Sequence, residues 1–204
     1  MDLPLPRNLF LDACVLYPSQ TRDLFMALAL EGWVRLKWSQ QVQEEWIQNF
    51  LKNNSSKLKP EQVERIKTVP QIMLDALEFQ EPLVQGYEDI LVQINLPDGN
   101  DRHVVAAAYR GGAEAILTFN DKDFPEEVLA SWDLRVIHPD DYLCEFAGNC
   151  IRKSFVPTAL LEILKRQRSR LQNPPLDVEA FLASLKKAGL RELARILDPY
   201  RQHL

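Results

Sequence analysis

The stretch from Leu96 to Phe124 constrains the fold more than any other part of the chain. It reads L-P-D-G-N-D-R-H-V-V-A-A-A-Y-R-G-G-A-E-A-I-L-T-F-N-D-K-D-F. Pro97, Gly99 and Asn100 form a turn, and Asp101 stands where a helix begins. Ala106, Ala107 and Ala108 favour that helix, and Gly111 and Gly112 end it with a left-handed cap. Ala115–Phe119 then predicts a short buried strand, broken by the polar run Asn120–Asp123. A helix running down one face of a sheet and a strand returning up it place the helix start and the strand end at one edge. Asp98 and Asp101 lie at the first, Asp121 and Asp123 at the second. Carboxylates gathered that closely repel one another unless protons or cations intervene, and a divalent cation is the leading explanation.

The preceding chain feeds the same edge. Asn8–Leu16 is a nearly continuous apolar run, the pattern of a strand buried on both faces of a parallel sheet, interrupted by Asp12. An unpaired buried carboxylate is costly, so Asp12 is expected to be protonated, hydrogen-bonded or bound to metal. A helix follows from Ser19 or Thr21 to about Gly32, then a short strand over Trp33–Trp38. Ser39 caps the next helix, which carries Glu44 and Glu45 in its first two turns; its spacing leaves open which of the two faces the edge. Asn53–Ser56 reads as a loop, Pro60–Phe79 as a helix broken or kinked at Pro70, Pro82–Tyr87 as a strand and Glu88–Ile94 as a short helix. Beyond the central stretch come a helix over Pro125–Trp132, a strand over Leu134–Ile137, and a helix opened by His138-Pro139-Asp140-Asp141 that reaches about Cys150. The alternation predicts a doubly wound α/β domain over 1–150. Residues 151–204 are expected to form a basic helical extension. It holds a helix from Pro157 to about Leu171, a linker at Asn173-Pro174-Pro175, and a helical hairpin bent at Gly189.

Charge divides along the same line. The net charge is −5, yet residues 152–204 hold 11 Lys and Arg against 5 Asp and Glu, leaving 13 against 24 in the rest. An acidic body suits cations, and a basic tail suits a polyanion. No apolar run approaches the roughly 20 residues of a membrane span, and no basic segment followed by an apolar core opens the chain, so it reads as cytoplasmic. Cys14, Cys144 and Cys150 show neither zinc nor disulfide spacing. The four tryptophans lie in apolar patterns and read as core.

The acids therefore carry the chemistry: Asp12 after one strand, Glu44 or Glu45 early in a helix, Asp101 at a helix start and Asp123 after another strand. Hard divalent cations take oxygen ligands and keep several waters, so a few carboxylates from separate elements suffice. Two such ions about 4 Å apart activate water and stabilise the leaving oxygen of a phosphodiester. The chain has no G-x-S-x-G, Walker or dinucleotide-binding glycine motif. An aspartyl-phosphatase would want an Asp two residues after Asp12, where Cys14 stands.

Four segments in this order resemble the PIN-domain ribonucleases, and among them the VapC-type toxins of bacterial toxin–antitoxin pairs. They are F-L-D-A-C-V-L around Asp12, W-S-Q-Q-V-Q-E-E-W around Glu45, L-P-D-G-N-D-R-H-V-V-A-A-A around Asp101, and L-T-F-N-D-K-D-F-P around Asp123. The resemblance covers roughly residues 7–145, and the basic tail is similar to the extension of one VapC subgroup. It implies a PIN-like fold with a short, mostly parallel sheet flanked by helices and followed by a helical C-terminal extension. It also implies an endoribonuclease dependent on Mg2+ or Mn2+, with Asp12, Glu45, Asp101 and Asp123 as metal ligands, an antitoxin partner and a homodimer. The spacing S-x-x-V-x-x-E favours Glu45 over Glu44. One departure is that Asn120 stands at the usual fourth-acid position, so Asp123 or Asp121 must substitute, which bears on the second metal more than the first.

Supporting roles fall to Thr118, Asn120 and Asp98. Candidate RNA contacts are Arg22, Arg102, Lys165, Arg166, Arg168 and Arg170, each weighed against an ordinary surface role. His103 reads as packed or exposed rather than as a proton relay. Two other classes remain open: a catalytically weak PIN module that binds RNA or an antitoxin, and a metal-dependent nuclease or phosphatase acting on another phosphate ester.

Overall fold

A computed structural model describes residues 5–154, 157–171 and 175–204. Its centre is a five-stranded, wholly parallel sheet in the order β3-β2-β1-β4-β5. The strands are β1 (Asn8–Leu11), β2 (Arg35–Ser39), β3 (Leu83–Val84), β4 (Ala115–Leu117) and β5 (Arg135–Ile137). β1 is central, pairing Leu9 with Leu36 on one side and with Ala115 on the other. Leu9, Phe10 and Leu11 are fully buried, as expected of a strand covered on both faces. β3, at one edge, is only two residues long.

β1 is shorter than the apolar run that announces it. Ala13–Leu16 is a helical turn, α1, because the Asp12 carboxylate accepts the Ala13 N–H at 2.6 Å and caps it. Buried Val15 and Leu16 suit a packed helix as well as a packed strand, so the apolar pattern alone did not separate them. The helices α2 (Ser19–Leu30), α3 (Gln40–Asn54) and α4 (Pro60–Ala76) follow. Helix α3 takes in Asn53 and Asn54, which had read as loop, and α4 continues through Pro70 without a break. Much of α4 faces solvent, where water can satisfy the carbonyl that a proline leaves without a donor. Glu88–Gln93 forms 3-10 turns rather than an α-helix. Helix α5 (Arg102–Arg110) is preceded by a 3-10 turn over Gly99–Asp101, and of the two glycines that end it only Gly112 is left-handed, at φ 64°. Trp38 and Trp46 belong to the core, whereas Trp33 is 40% exposed and Trp132 half-buried, each set edge-on against a ring, Phe146 and Tyr109 respectively. Those two indoles lie at the margin of the core.

Helix α6 (Glu126–Ala130) precedes β5, and α7 (Pro139–Ser154) carries the chain past residue 150 into α8 (Thr158–Arg170), α9 (Val178–Lys187) and α10 (Arg191–Leu197). Of the linker expected at Asn173–Pro175, only Pro175 falls within the described residues. Buried Leu160, Leu164, Phe181, Leu185, Leu193 and Leu197 join the same hydrophobic cluster as the sheet. Helix α8 packs on α2 and α7, and α10 on α7 and α9. The decisive polar tie is Asp140, 5% exposed at the start of α7. Its carboxylate accepts the backbone N–H groups of Glu192 at 2.8 Å and Leu193 at 2.9 Å, capping α10 from another element. Replacing Asp140 by Ala orphans two N–H groups in a partly buried setting and is expected to cost about 2 kcal/mol, a fall in Tm of about 4–8 °C. Asp140→Asn, which keeps an acceptor, is expected to lose less; thermal melts of the three proteins check both.

Candidate active site

Asp12 leaves the central strand with both carboxylate oxygens occupied. Its Oδ1 accepts the Ala13 N–H, and its Oδ2 accepts the Thr118 hydroxyl at 2.7 Å and the Cys14 thiol at 3.0 Å. Its own backbone N–H donates to the Leu117 carbonyl, tying the end of β1 to that of β4. Thr118 is fully buried and also accepts the Asn120 N–H at 3.0 Å, so one hydroxyl links Asp12 to the loop that carries Asn120–Asp123. Cys14 completes the clamp by accepting the Phe119 N–H at 3.2 Å. Burial, then the neighbouring Asp12 charge, pushes the Cys14 thiol far above its ordinary range, so it remains a protonated donor.

Asp101, at the last position before α5, records what surrounds it. Its pKa is raised from 3.8 to about 6, first by partial burial and then by the charges of Asp12, Asp98 and Asp123, with His103 opposing them. Residues from the end of β1, the turn before α5 and the 3-10 turn after β4 therefore share one electrostatic field. Asp98 spends one oxygen on the Asn100 N–H at 2.8 Å, shaping the turn. Asp121 and Asn120 are exposed and Asp123 is half-buried.

Glu45 reaches the rim differently. It is half-buried and hydrogen-bonded to the His103 Nε2 at 3.1 Å, whereas Glu44 points to solvent and bonds Gln40. Burial pushes the Glu45 carboxyl upward, but the His103 hydrogen bond and charge, with help from Gln41, bring it below its usual range. His103 is 4% exposed and its Nδ1 has no partner among the described residues. Sequence spacing had pointed to His103 only as the second residue after Asp101, with no sign of its partner. Cys14 was likewise visible only as the residue two positions past Asp12.

The proposed cations on the notional RNA path are mostly engaged. Arg22 bonds the Leu16 carbonyl at 3.0 Å, pairs with Asp23 at 3.4 Å and lies 4.9 Å over the Trp46 ring; burial lowers its pKa. Arg166 pairs with Glu31 at 2.6 Å, and Arg168 donates to the Leu176 and Leu204 carbonyls. Arg170 acts on the Asp23 carboxyl, while Lys165 is exposed. Arg102 folds its guanidinium over Gly99 in the first turn of α5.

Residues 7–122 match the PIN domain family, more than half of the chain. The chain belongs to that family. Residues 155–199 match the VapC50 C-terminal domain, so both portions of this PIN protein have counterparts in VapC-type chains. Over 60 residues it is 43% identical to a Mycobacterium tuberculosis protein named "Putative ribonuclease VapC50", which covers 29% of this chain. The alignment spans about a third, 35%, of that relative's length. No solved structure matches.

Among the described residues of this PIN domain, no three His, Cys, Asp or Glu side chains lie close enough to form a ready-made metal cage. The donor set nonetheless suits a hard cation that keeps most of its waters, since one or two carboxylates are enough to hold it. The mutual repulsion recorded at Asp101 is the cost such an ion would relieve. Because the folded value near 6 lies above the ordinary 3.8, the native state binds more protons in that interval, and stability falls as pH rises through it. In chelator, Asp101→Asn is expected to raise stability at pH 7.5 by about 1 kcal/mol, after discounting for solvent screening. The gain should vanish by about pH 4, as melts across that range would show.

Proposed function

We propose that this chain is a divalent-cation-dependent endoribonuclease and the toxin of a toxin–antitoxin pair. The observation that carries the reading is the placement of Asp12 at the end of β1, Asp98 and Asp101 in the turn before α5 and Asp123 in the turn after β4. They lie so close that, after partial burial, the charges of Asp12, Asp98 and Asp123 raise the Asp101 carboxyl. A structural role alone gives no reason to gather four acids at the carboxyl ends of parallel strands, where open α/β folds place ligands. The family relationship supports a nuclease, and the name of the Mycobacterium tuberculosis relative supports RNA as substrate.

In this reading Asp12, Asp101 and Asp123 would hold Mg2+ or Mn2+, with Glu45, hydrogen-bonded to His103, as a further ligand. When bound, such an ion offsets phosphate charge and makes water a better nucleophile. The chain's own residues supply placement. Thr118 and Cys14 occupy Oδ2 of Asp12 and leave Oδ1, with a single hydrogen bond, as the oxygen with room for another partner. Asn120 contributes a neutral amide where an acid would add another negative charge, and Asp98 stiffens the turn before Asp101. A recessed acidic rim favours single-stranded or looped RNA, whose backbone bends more readily than a duplex. The products expected are a 5′-phosphate and a 3′-hydroxyl. An antitoxin segment that fills this rim with a basic side chain would silence it, and a homodimer fits the family.

The neutral Asn120 favours a second reading, a PIN module that binds RNA or antitoxin with weak catalysis. Purified chain incubated with single-stranded RNA in Mg2+ or Mn2+ separates the two. Cleavage is expected, abolished by EDTA and reduced at least about 100-fold by Asp12→Asn. Either ion should also raise the Tm of the wild-type chain but not that of Asp12→Asn. Cleavage that persists through both treatments overturns the metal-dependent reading.

A further inference from the structure

The bend between α9 and α10 lies on the same rim as the acids. Gly189 has φ 92° and packs flush against Phe119, where a Cβ would come within 2.6 Å of the ring. The Ala188 carbonyl accepts the Thr21 hydroxyl at 3.1 Å, and Asp140 caps α10 just beyond the bend. Thr21 opens α2, Phe119 follows β4, and Asp140 opens α7 after β5. Every partner of the bend therefore stands at the carboxyl ends of the strands. Phe119 also follows Thr118, the residue that holds Asp12, and donates its own N–H to Cys14.

Helix α9 runs up to this rim and ends in Lys186 and Lys187, and α10 leaves it with Arg191. All three are exposed, and among the described residues no hydrogen bond or ion pair engages their side chains. Lys186 and Arg191 border a groove of about 480 Å³ that continues past Arg195 and Asp198. Arg195 is paired with Glu192, and Asp198 with Arg201, so Lys186 and Arg191 are the uncompensated charges along the groove.

We infer that the α9–α10 bend is a cationic lip of the active site, and that Lys186, Lys187 and Arg191 hold the phosphate backbone of single-stranded RNA entering it. This rests on the nuclease reading. The body of the chain is acidic and repels a polyanion, so a substrate strand needs fixed cations beside the carboxylates. Arg22, Arg166 and Arg168 are occupied elsewhere, whereas these three side chains have no partner among the described residues and are placed on the rim by the contacts of Gly189, Ala188 and Leu193.

The test measures binding of a fluorescent single-stranded RNA by full-length Asp12→Asn chain in magnesium, across a salt series. Adding Lys186→Glu, Lys187→Glu and Arg191→Glu together is expected to weaken binding at least tenfold. The corresponding alanine triple should lower the slope of log K against log salt by about 2, the loss of three single-strand phosphate contacts. Matching reversals at Lys52, Lys57 and Lys59, three exposed lysines far along the chain, are the control. Unchanged affinity and slope in the triples, or equal losses in the control, overturn the lip. Wild-type cleavage with lip-independent binding would refute the lip and leave the nuclease standing. Lip-dependent binding by a wild-type chain that cleaves nothing would do the reverse.

Discussion

The Asp12 carboxylate and its three donors are what the rest of the structure depends on. One side chain ends the central strand, starts the turn of helix after it and ties β1 to the residue leaving β4. A carboxylate buried to that degree is tolerable only when most of its lone pairs are met, and Ala13, Thr118 and Cys14 meet all but one on Oδ1. The same bonds restrict how the group can turn. A carboxylate meant to present one oxygen to a ligand benefits from that restriction, since the ordering is done before the ligand arrives.

Around that fixed point the site is assembled from opposing costs. Asp12, Asp98 and Asp123 are brought near Asp101 although their charges disfavour its ionised form. Hydrophobic burial of β1, β4 and α5 supplies what the repulsion removes: Leu9, Phe10, Leu11, Val105, Ala106, Ile116 and Leu117 are all fully enclosed. His103 shows the two demands meeting in one helix, with its ring in the core and one nitrogen on Glu45.

The alternation of strands and helices, and the return of β4 beside the start of α5, could be read from the sequence because both are matters of local pattern and short connection. Where two structures bury the same residues, pattern failed: Ala13–Leu16 is apolar enough for strand or helix, and a capping bond decided it. Helical spacing left Glu44 and Glu45 open and the family spacing favoured Glu45, but its partner His103 was visible only in three dimensions. Charge counting found the cations of the extension but not which were consumed, since Arg168 is held by two backbone carbonyls and Arg166 by Glu31. Docking of the extension was hidden for the same reason. Thr21 and Ala188 meet across 167 positions, and Asp140 reads locally as an ordinary helix-opening acid.

The edges of the sheet have a bearing on company. β3 offers two residues and β5 three, too little ladder for a neighbouring chain to extend as a further strand. Fibre-like stacking is thereby discouraged at the margins where parallel sheets are most vulnerable. Any association of this protein with another copy or with an inhibitor has to be written in side chains on helices and loops, a surface vocabulary that can be specific to one partner, rather than in the generic hydrogen bonds of exposed backbone.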